Sequence, residues 1–233
     1  VANEVCSYTL EGNIAVVRMD DGKANALSEA MIDGLLDALA RAEKEASAMV
    51  LVGRPDRFCA GFDLRVMMSS PEAAKALLSR GADLLMKLYG APLPLVIACT
   101  GHAVAGGALV VLTGDVRIGA EGPYRIGLNE VSIGLPVPML AMELARDRLS
   151  PTELTNATLA ARIYTPEEAV RAGYLDAVVP ADAVLARAKE EATKLAGLAR
   201  KAYEQTKTRL RGKTIAYVRA GLEQDVKSLM LGT

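Results

Sequence analysis

Leu95-Val96-Ile97-Ala98-Cys99-Thr100-Gly101-His102-Ala103-Val104-Ala105-Gly106-Gly107 reads as a buried strand running into a glycine turn. An unbroken apolar run of this length fits a strand covered on both faces, as in a parallel sheet. The glycines allow a turn into a helix whose first N–H groups stay unpaired and carry the positive end of the dipole. Upstream, Met49-Val50-Leu51-Val52 repeats the strand, and Phe58-Cys59-Ala60-Gly61-Phe62-Asp63-Leu64 repeats the turn. Downstream, Tyr124-Arg125-Ile126-Gly127-Leu128-Asn129-Glu130 puts a carboxylate on a loop. A base beside ready-made backbone donors suits removal of a proton next to a carbonyl, because the enolate oxygen needs donors already in place.

The flanking segments fill in an α/β chain. Tyr8–Leu10 and Ile14–Met19, separated by Glu11-Gly12-Asn13, form a hairpin pattern. Ser28 is placed to cap a helix on which Met31, Leu35, Leu39 and Ala42 recur at helical spacing. Ser70-Pro71-Glu72 announces another helix. Ser150-Pro151-Thr152-Glu153 and Thr165-Pro166-Glu167-Glu168 both match a capping box. From Asp182 to Arg211 and again from Ile215 to Met230 the chain reads as helix. We expect an α/β core over residues 1–180 and a helical region over 181–233, in one structural unit.

Composition narrows the function classes. The 233 residues are 51% hydrophobic and 24% charged, an ordinary globular balance. With 27 basic and 28 acidic residues the net charge is −1, so no global field attracts nucleic acid or an anionic membrane. No apolar run reaches the length of a membrane-spanning helix, and Val1–Leu10 has neither the basic nor the apolar region of a secretory signal. Cys6, Cys59 and Cys99 are odd in number and widely spaced, which points to a reducing cytoplasm rather than a disulfide framework. One histidine, His102, and scattered cysteines offer no metal-ligand set. Neither a dinucleotide fingerprint nor a P-loop is present.

The runs Phe58–Leu64, Gly101–Asp115 and Gly127–Gly134 resemble the crotonase (enoyl-CoA hydratase/isomerase) superfamily. So do Ala24-Asn25-Ala26-Leu27, the run Glu168–Leu175, and Val178-Val179-Pro180, all in the family's order. The resemblance implies a spiral of ββα repeats with a C-terminal helical region that covers the pocket and mediates oligomerisation, assembled as a homotrimer or a dimer of trimers. It implies an acyl-CoA thioester as partner and no cofactor or metal, coenzyme A being part of the substrate. The thioester oxygen would be held by the backbone N–H groups of Phe62 and Gly106. Ala24, Ala60, Phe62, Asp63, Leu64 and Arg65 would meet CoA, and Leu109 and Leu135 the acyl chain.

Hydratases of this family carry two glutamates; the position of the first is Leu109 here and the second is Glu130. A single glutamate resembles the Δ3,Δ2-enoyl-CoA isomerases, in which one base removes a proton and returns it elsewhere. Leu109, Val131 and Leu135 are expected to desolvate Glu130 and raise its pKa. The alternatives are a hydratase using Glu130 alone, a related acyl-CoA lyase or hydrolase, and a silent acyl-CoA-binding protein. Asp63 is expected to cap the helix after its turn, Asp115 to end the helix that starts at Gly106, and Cys59 to pack. Lys201, Lys207, Arg209 and Arg211 are expected on a solvated helix face.

Overall fold

In the computed structural model, which describes residues 5–231, the chain winds through a repeated strand–strand–helix unit. Residues 1–4 and 232–233, at the outer ends of the two expected regions, lie outside the described residues. The first unit is β1 (Cys6–Glu11), β2 (Ile14–Met19) and α1 (Glu29–Glu45). The hairpin pairs Tyr8 with Val17, and the Ser28 side chain caps α1 by accepting from the Met31 N–H. The second unit runs through β3 (Ala48–Val52), β4 (Asp56–Cys59), the single turn α2 (Leu64–Met67) and α3 (Pro71–Tyr89). The third is β5 (Leu95–Cys99), β6 (Gly101–Val104) and α4 (Gly106–Thr113). The fourth is β7 (Val116–Ala120), β8 (Ile126–Gly127), a 3-10 turn at Val131–Ile133 and α5 (Met139–Arg148). Then follow α6 (Leu154–Thr158), α7 (Pro166–Ala172), β9 (Ala177–Val179), α8 (Val184–Ala196) and α9 (Arg200–Leu231).

Winding these units stacks their strands into two sheets. The larger has the order β1-β2-β3-β5-β7-β9 and is parallel beyond the first hairpin; the smaller is β4-β6-β8, all parallel. The expected ββα spiral is present. The second sheet was hidden in the sequence because its strands are two to four residues long, too short for a periodic pattern. Gly101–Val104, read as part of a turn, is its central strand.

The fully buried strands serve two cores at once, since alternate residues face opposite ways. Val16, Val50, Val52, Val96 and Ala98 pack with Val184, Ala188 and Ala192 of α8. Val17, Met49, Leu51, Leu95 and Ile97 face the main core with α1, α3, α4 and α5. No helix among the described residues is long and apolar enough to cross a membrane.

Three local expectations need correction. The capping box at Thr165 forms, with Thr165 Oγ1 accepting from Glu168 N–H and Glu168 Oε2 from Thr165 N–H. The one at Ser150 does not: Ser150 Oγ pairs with Thr152 Oγ1, and α6 starts later without a side-chain cap. The break between the last helices falls at 197–199, and α9 then runs unbroken through 211–215. Third, Lys207 and Arg211 are buried, not solvated. Both pair with Asp115, at 2.6 and 2.9 Å, and Asp115 also accepts from the Leu95 N–H. Asp115 follows α4 as expected and, beyond that, fastens α9 to the start of β5. A buried charge persists only when paired, so these cations are anchors.

Candidate active site

The two glycine turns meet at the N-terminus of α4. Gly61 adopts φ +92°, open to glycine at little strain, and a Cβ there would stand 3.2 Å from the Gly106 amide nitrogen. At Gly107 a Cβ would overlap the Cys59 carbonyl, so the helix start must be glycine to approach β4 this closely. Between them Ala105 is held at φ 50°, ψ −125°, a conformation usually left to glycine and costing about 1–3 kcal/mol. Hydrogen bonds on both sides enforce it. Ala105 N–H donates to the Gly127 carbonyl at 3.0 Å, and its own carbonyl accepts from Leu109 N–H at 3.2 Å. Because ψ of Ala105 sets the direction of the next amide, this strained residue aims the Gly106 N–H.

Among the described residues neither the Phe62 N–H nor the Gly106 N–H donates to a protein acceptor. The Gly61–Asp63 segment is pinned without using the Phe62 amide: Leu27 N–H donates to Gly61 O at 2.8 Å and Asp63 N–H to Leu27 O at 3.3 Å. The Phe62 ring then wedges between helices. A Cβ at Gly81 of α3 would overlap its Cε1, and one at Gly106 would stand 3.2 Å from its Cδ2 and Cε2. The ring is a strut between α3 and the head of α4.

Asn25 is a residue whose role the sequence reading missed. It is fully buried at φ 54°, and its Nδ2 donates to the carbonyls of Met19, Arg57 and Phe58. Its Oδ1 accepts from Asp21 N–H. Asn25 thereby fixes the Ala24–Leu27 segment, whose Ala24 carbonyl accepts from Ala60 N–H at 3.1 Å. The clue was an Asn-centred turn after Asp20-Asp21-Gly22, where asparagine tolerates positive φ.

Asp63 caps α2 by accepting from the Arg65 N–H at 2.9 Å, and pairs with the Arg65 side chain at 3.0 Å. That hydrogen bond holds the Asp63 carboxyl below the usual range. Ala60, Leu64 and Arg65 are exposed along this stretch, and Ala24 is half-buried beside it. Cys59 is fully buried, which pushes its thiol up to about 12 and leaves it a packing group. His102 accepts from the Arg125 N–H through Nδ1 at 3.0 Å, a structural bond between β6 and the start of β8.

Glu130 follows β8, three residues beyond the carbonyl that holds Ala105. It is 8% exposed, and its carbonyl accepts from Ile133 and Leu135 N–H groups, which closes the loop around it. Its Oε2 is buried with no hydrogen-bond partner, and no ion pair involves it among the described residues. Burial raises its pKa above the ordinary glutamate value, with the Glu130 and Asn129 amides pulling weakly the other way. An unsatisfied buried acceptor costs about 1–3 kcal/mol, and such costs concentrate at functional sites. Leu109 lies in α4 at 2% exposure and Leu135 is half-buried, but Val131 is 42% exposed and shields little. That part of the desolvation expectation is corrected: the 3-10 turn points Val131 outward.

Known proteins resemble this chain in sequence and in fold. The family described as enoyl-CoA hydratase/isomerase matches residues 9–230. The chain is 29% identical to enoyl-CoA delta isomerase 1, mitochondrial, of Homo sapiens over 222 residues, covering 93% of this chain and 74% of that protein. It is 33% identical to a putative enoyl-CoA hydratase of Thermus thermophilus over 193 residues, covering 80% and 76%. The crystal structure of an enoyl-CoA hydratase/isomerase family protein from Pseudomonas syringae superposes with a TM-score of 0.95 at 37% identity, covering 98% of this chain and all of that one (100%).

Proposed function

The chain belongs to the enoyl-CoA hydratase/isomerase family, and from that premise we propose that it is an isomerase converting a 3-enoyl-CoA to the 2-trans-enoyl-CoA. The observation that carries this reading is the solitary buried Glu130, with an unpartnered carboxylate oxygen and no charged partner among the described residues; the family resemblance adds that Leu109 holds the position of the hydratases' other acid. Hydration needs a water placed and a proton delivered. A 1,3-shift needs one base.

In the proposed cycle the Glu130 carboxylate takes a proton from C2 of the thioester. The C–H electrons enter the carbonyl system, and the oxygen's negative charge meets the Phe62 and Gly106 N–H groups. Those donors are fixed before the reaction, so stabilising the dienolate requires little reorganisation. Protonated Glu130 then delivers its proton to C4, and the remaining double bond lies between C2 and C3. Its raised pKa makes the carboxylate a stronger base and brings its charged and neutral forms closer to balance near neutral pH, which suits a group that takes and then returns one proton. The carbonyl-side CoA segment is assigned to Ala24, Ala60 and Phe62–Arg65, and the acyl chain to Leu109 and Leu135.

The test offers the purified protein a 3-enoyl-CoA and a 2-trans-enoyl-CoA separately. Isomerisation of the first with little hydration of the second is expected. Efficient hydration would make the protein a one-glutamate hydratase and overturn the reading.

A further inference from the structure

At φ 50°, ψ −125° Ala105 holds a conformation that glycine would adopt without strain, yet it carries a methyl group. What that methyl touches gives it a purpose. A Cβ at Gly61 would lie 3.1 Å from the Ala105 Cβ and 3.3 Å from the Val104 carbonyl oxygen. Carbon atoms in ordinary contact stand roughly 3.5–4 Å apart, so the Ala105 methyl already fills the open side of Gly61. It bars Gly61 from closing on the head of α4. From another side Leu27 fixes the same segment through its two backbone bonds to Gly61 and Asp63, and its Cδ1 would stand 3.2 Å from a Cβ at Gly106.

The Phe62 amide nitrogen is bonded to Gly61, and the Gly106 amide takes its direction from Ala105, so one residue governs the setting of both N–H groups. Its backbone also reaches toward the base. Ala105 N–H is held by the Gly127 carbonyl, where β6 and β8 pair in parallel. The opposite edge of β8 is held by Ile126, which exchanges bonds with Tyr164 at 3.0 and 2.9 Å. We propose, resting on the isomerase reading, that Ala105 is a positioning residue: its methyl spaces the Phe62 and Gly106 N–H groups so that both reach one thioester oxygen, and its bond to Gly127 keeps them in register with the strand leading to Glu130. A strained alanine persists only where its neighbours over-determine it, and Gly127, Leu109 and Gly61 do so here. Glycine at 105 would relieve the strain and remove the spacer. The methyl therefore costs stability and serves rate.

The experiment compares wild type, Ala105→Gly and Ala105→Ser by thermal melt, steady-state isomerisation, and infrared difference spectra of a bound saturated acyl-CoA carrying carbon-13 at its carbonyl. A saturated chain does not isomerise, so its carbonyl stretch reads the two donors without turnover. Wild type should lower that stretch relative to the free thioester. In Ala105→Gly the melting temperature should hold or rise, and the stretch should return part of the way to the free value. Its kcat should fall about ten- to a hundredfold, with KM within about twofold of wild type. Ala105→Ser keeps a Cβ in place and should stay near wild type in both kcat and stretch. A glycine variant with the wild-type stretch would overturn the proposal, as would one melting more than about 4 °C lower, which would make the methyl a packing group. A wild-type protein that leaves the carbonyl unpolarised would overturn it too. If wild type polarises the carbonyl but does not isomerise a 3-enoyl-CoA, the isomerase reading fails, while the stretch in the two variants still decides whether Ala105 spaces the donors.

Discussion

Gly81→Ala is predicted to damage catalysis through a ring that touches neither base nor substrate oxygen. An ideal Cβ at 81 would overlap Cε1 of Phe62 and lie 2.5 Å from Cζ, where ordinary contact needs roughly 3.5–4 Å. The ring must therefore retreat by about 1 Å or more. Its retreat is blocked, because Cδ2 and Cε2 on the other edge already face Gly106. The displacement passes to the Phe62 backbone or the head of α4, the two places that hold the proposed donors. Overpacking costs about 1–3 kcal/mol, against about 1 kcal/mol gained by replacing a helical glycine. Net destabilisation should be about 0–2 kcal/mol, or a melting temperature lower by at most about 8 °C for a chain of this size. A donor displaced by about 1 Å costs far more in rate, on the order of 10²-fold in kcat. The assay is steady-state isomerisation with a parallel thermal melt, on Gly81→Ala, Phe62→Leu and the double variant. The double variant should recover at least about 1 kcal/mol of the catalytic loss, since the smaller side chain gives the methyl its space. Full activity in Gly81→Ala, or a double variant no better than the sum of its parts, would refute the strut.

Glu130→Gln should melt higher than wild type at pH 7. Burial raises the folded carboxyl pKa above its ordinary 4.5, so the stability carried by the protonated form is complete below the unfolded value and lost as pH rises through the folded one. The difference between the two proteins should close toward pH 4, and the acid limb of wild-type kcat/KM should lie above 4.5. Lys207→Met leaves Asp115 with one of its two cations in a buried site; roughly 3 kcal/mol, or about 6–12 °C in the melt, should be lost with kcat of the folded protein intact. Arg65→Ala, with a side chain 83% exposed, should raise KM for CoA thioesters in a salt-sensitive way and leave kcat and pantetheine thioesters unaffected.

The large sheet was legible because β3 and β5 are unbroken apolar runs, and α1, α3 and α7 because Ser28, Ser70 and Thr165 mark their starts. Ser150 carries the same signature, but its hydroxyl found Thr152 instead, a choice set by local turn geometry that a pattern does not contain. The small sheet, the burial of Lys207 and Arg211, and the outward turn of Val131 depend on contacts between residues distant in the chain. At the site, Glu130 and the two glycine turns could be picked out by residue type. What could not be read was the connection between them: Gly127 holding Ala105, the Leu27 N–H bonded to Gly61 O, and Phe62 lodged between two glycines. Each link is a backbone bond or a void, and neither leaves a mark in composition.

That one carboxylate does both halves of the proton shift is tested most directly by single-turnover isomerisation by wild type and Glu130→Gln with 3-enoyl-CoA labelled with deuterium at C2. A positioned acid–base group contributes about 10²–10⁴ in rate, so the variant should lose at least about 10²-fold while still binding the thioester. Wild type should carry part of the label to C4. A Glu130→Gln protein within tenfold of wild type, or one that loses rate only because it no longer binds, would contradict the claim.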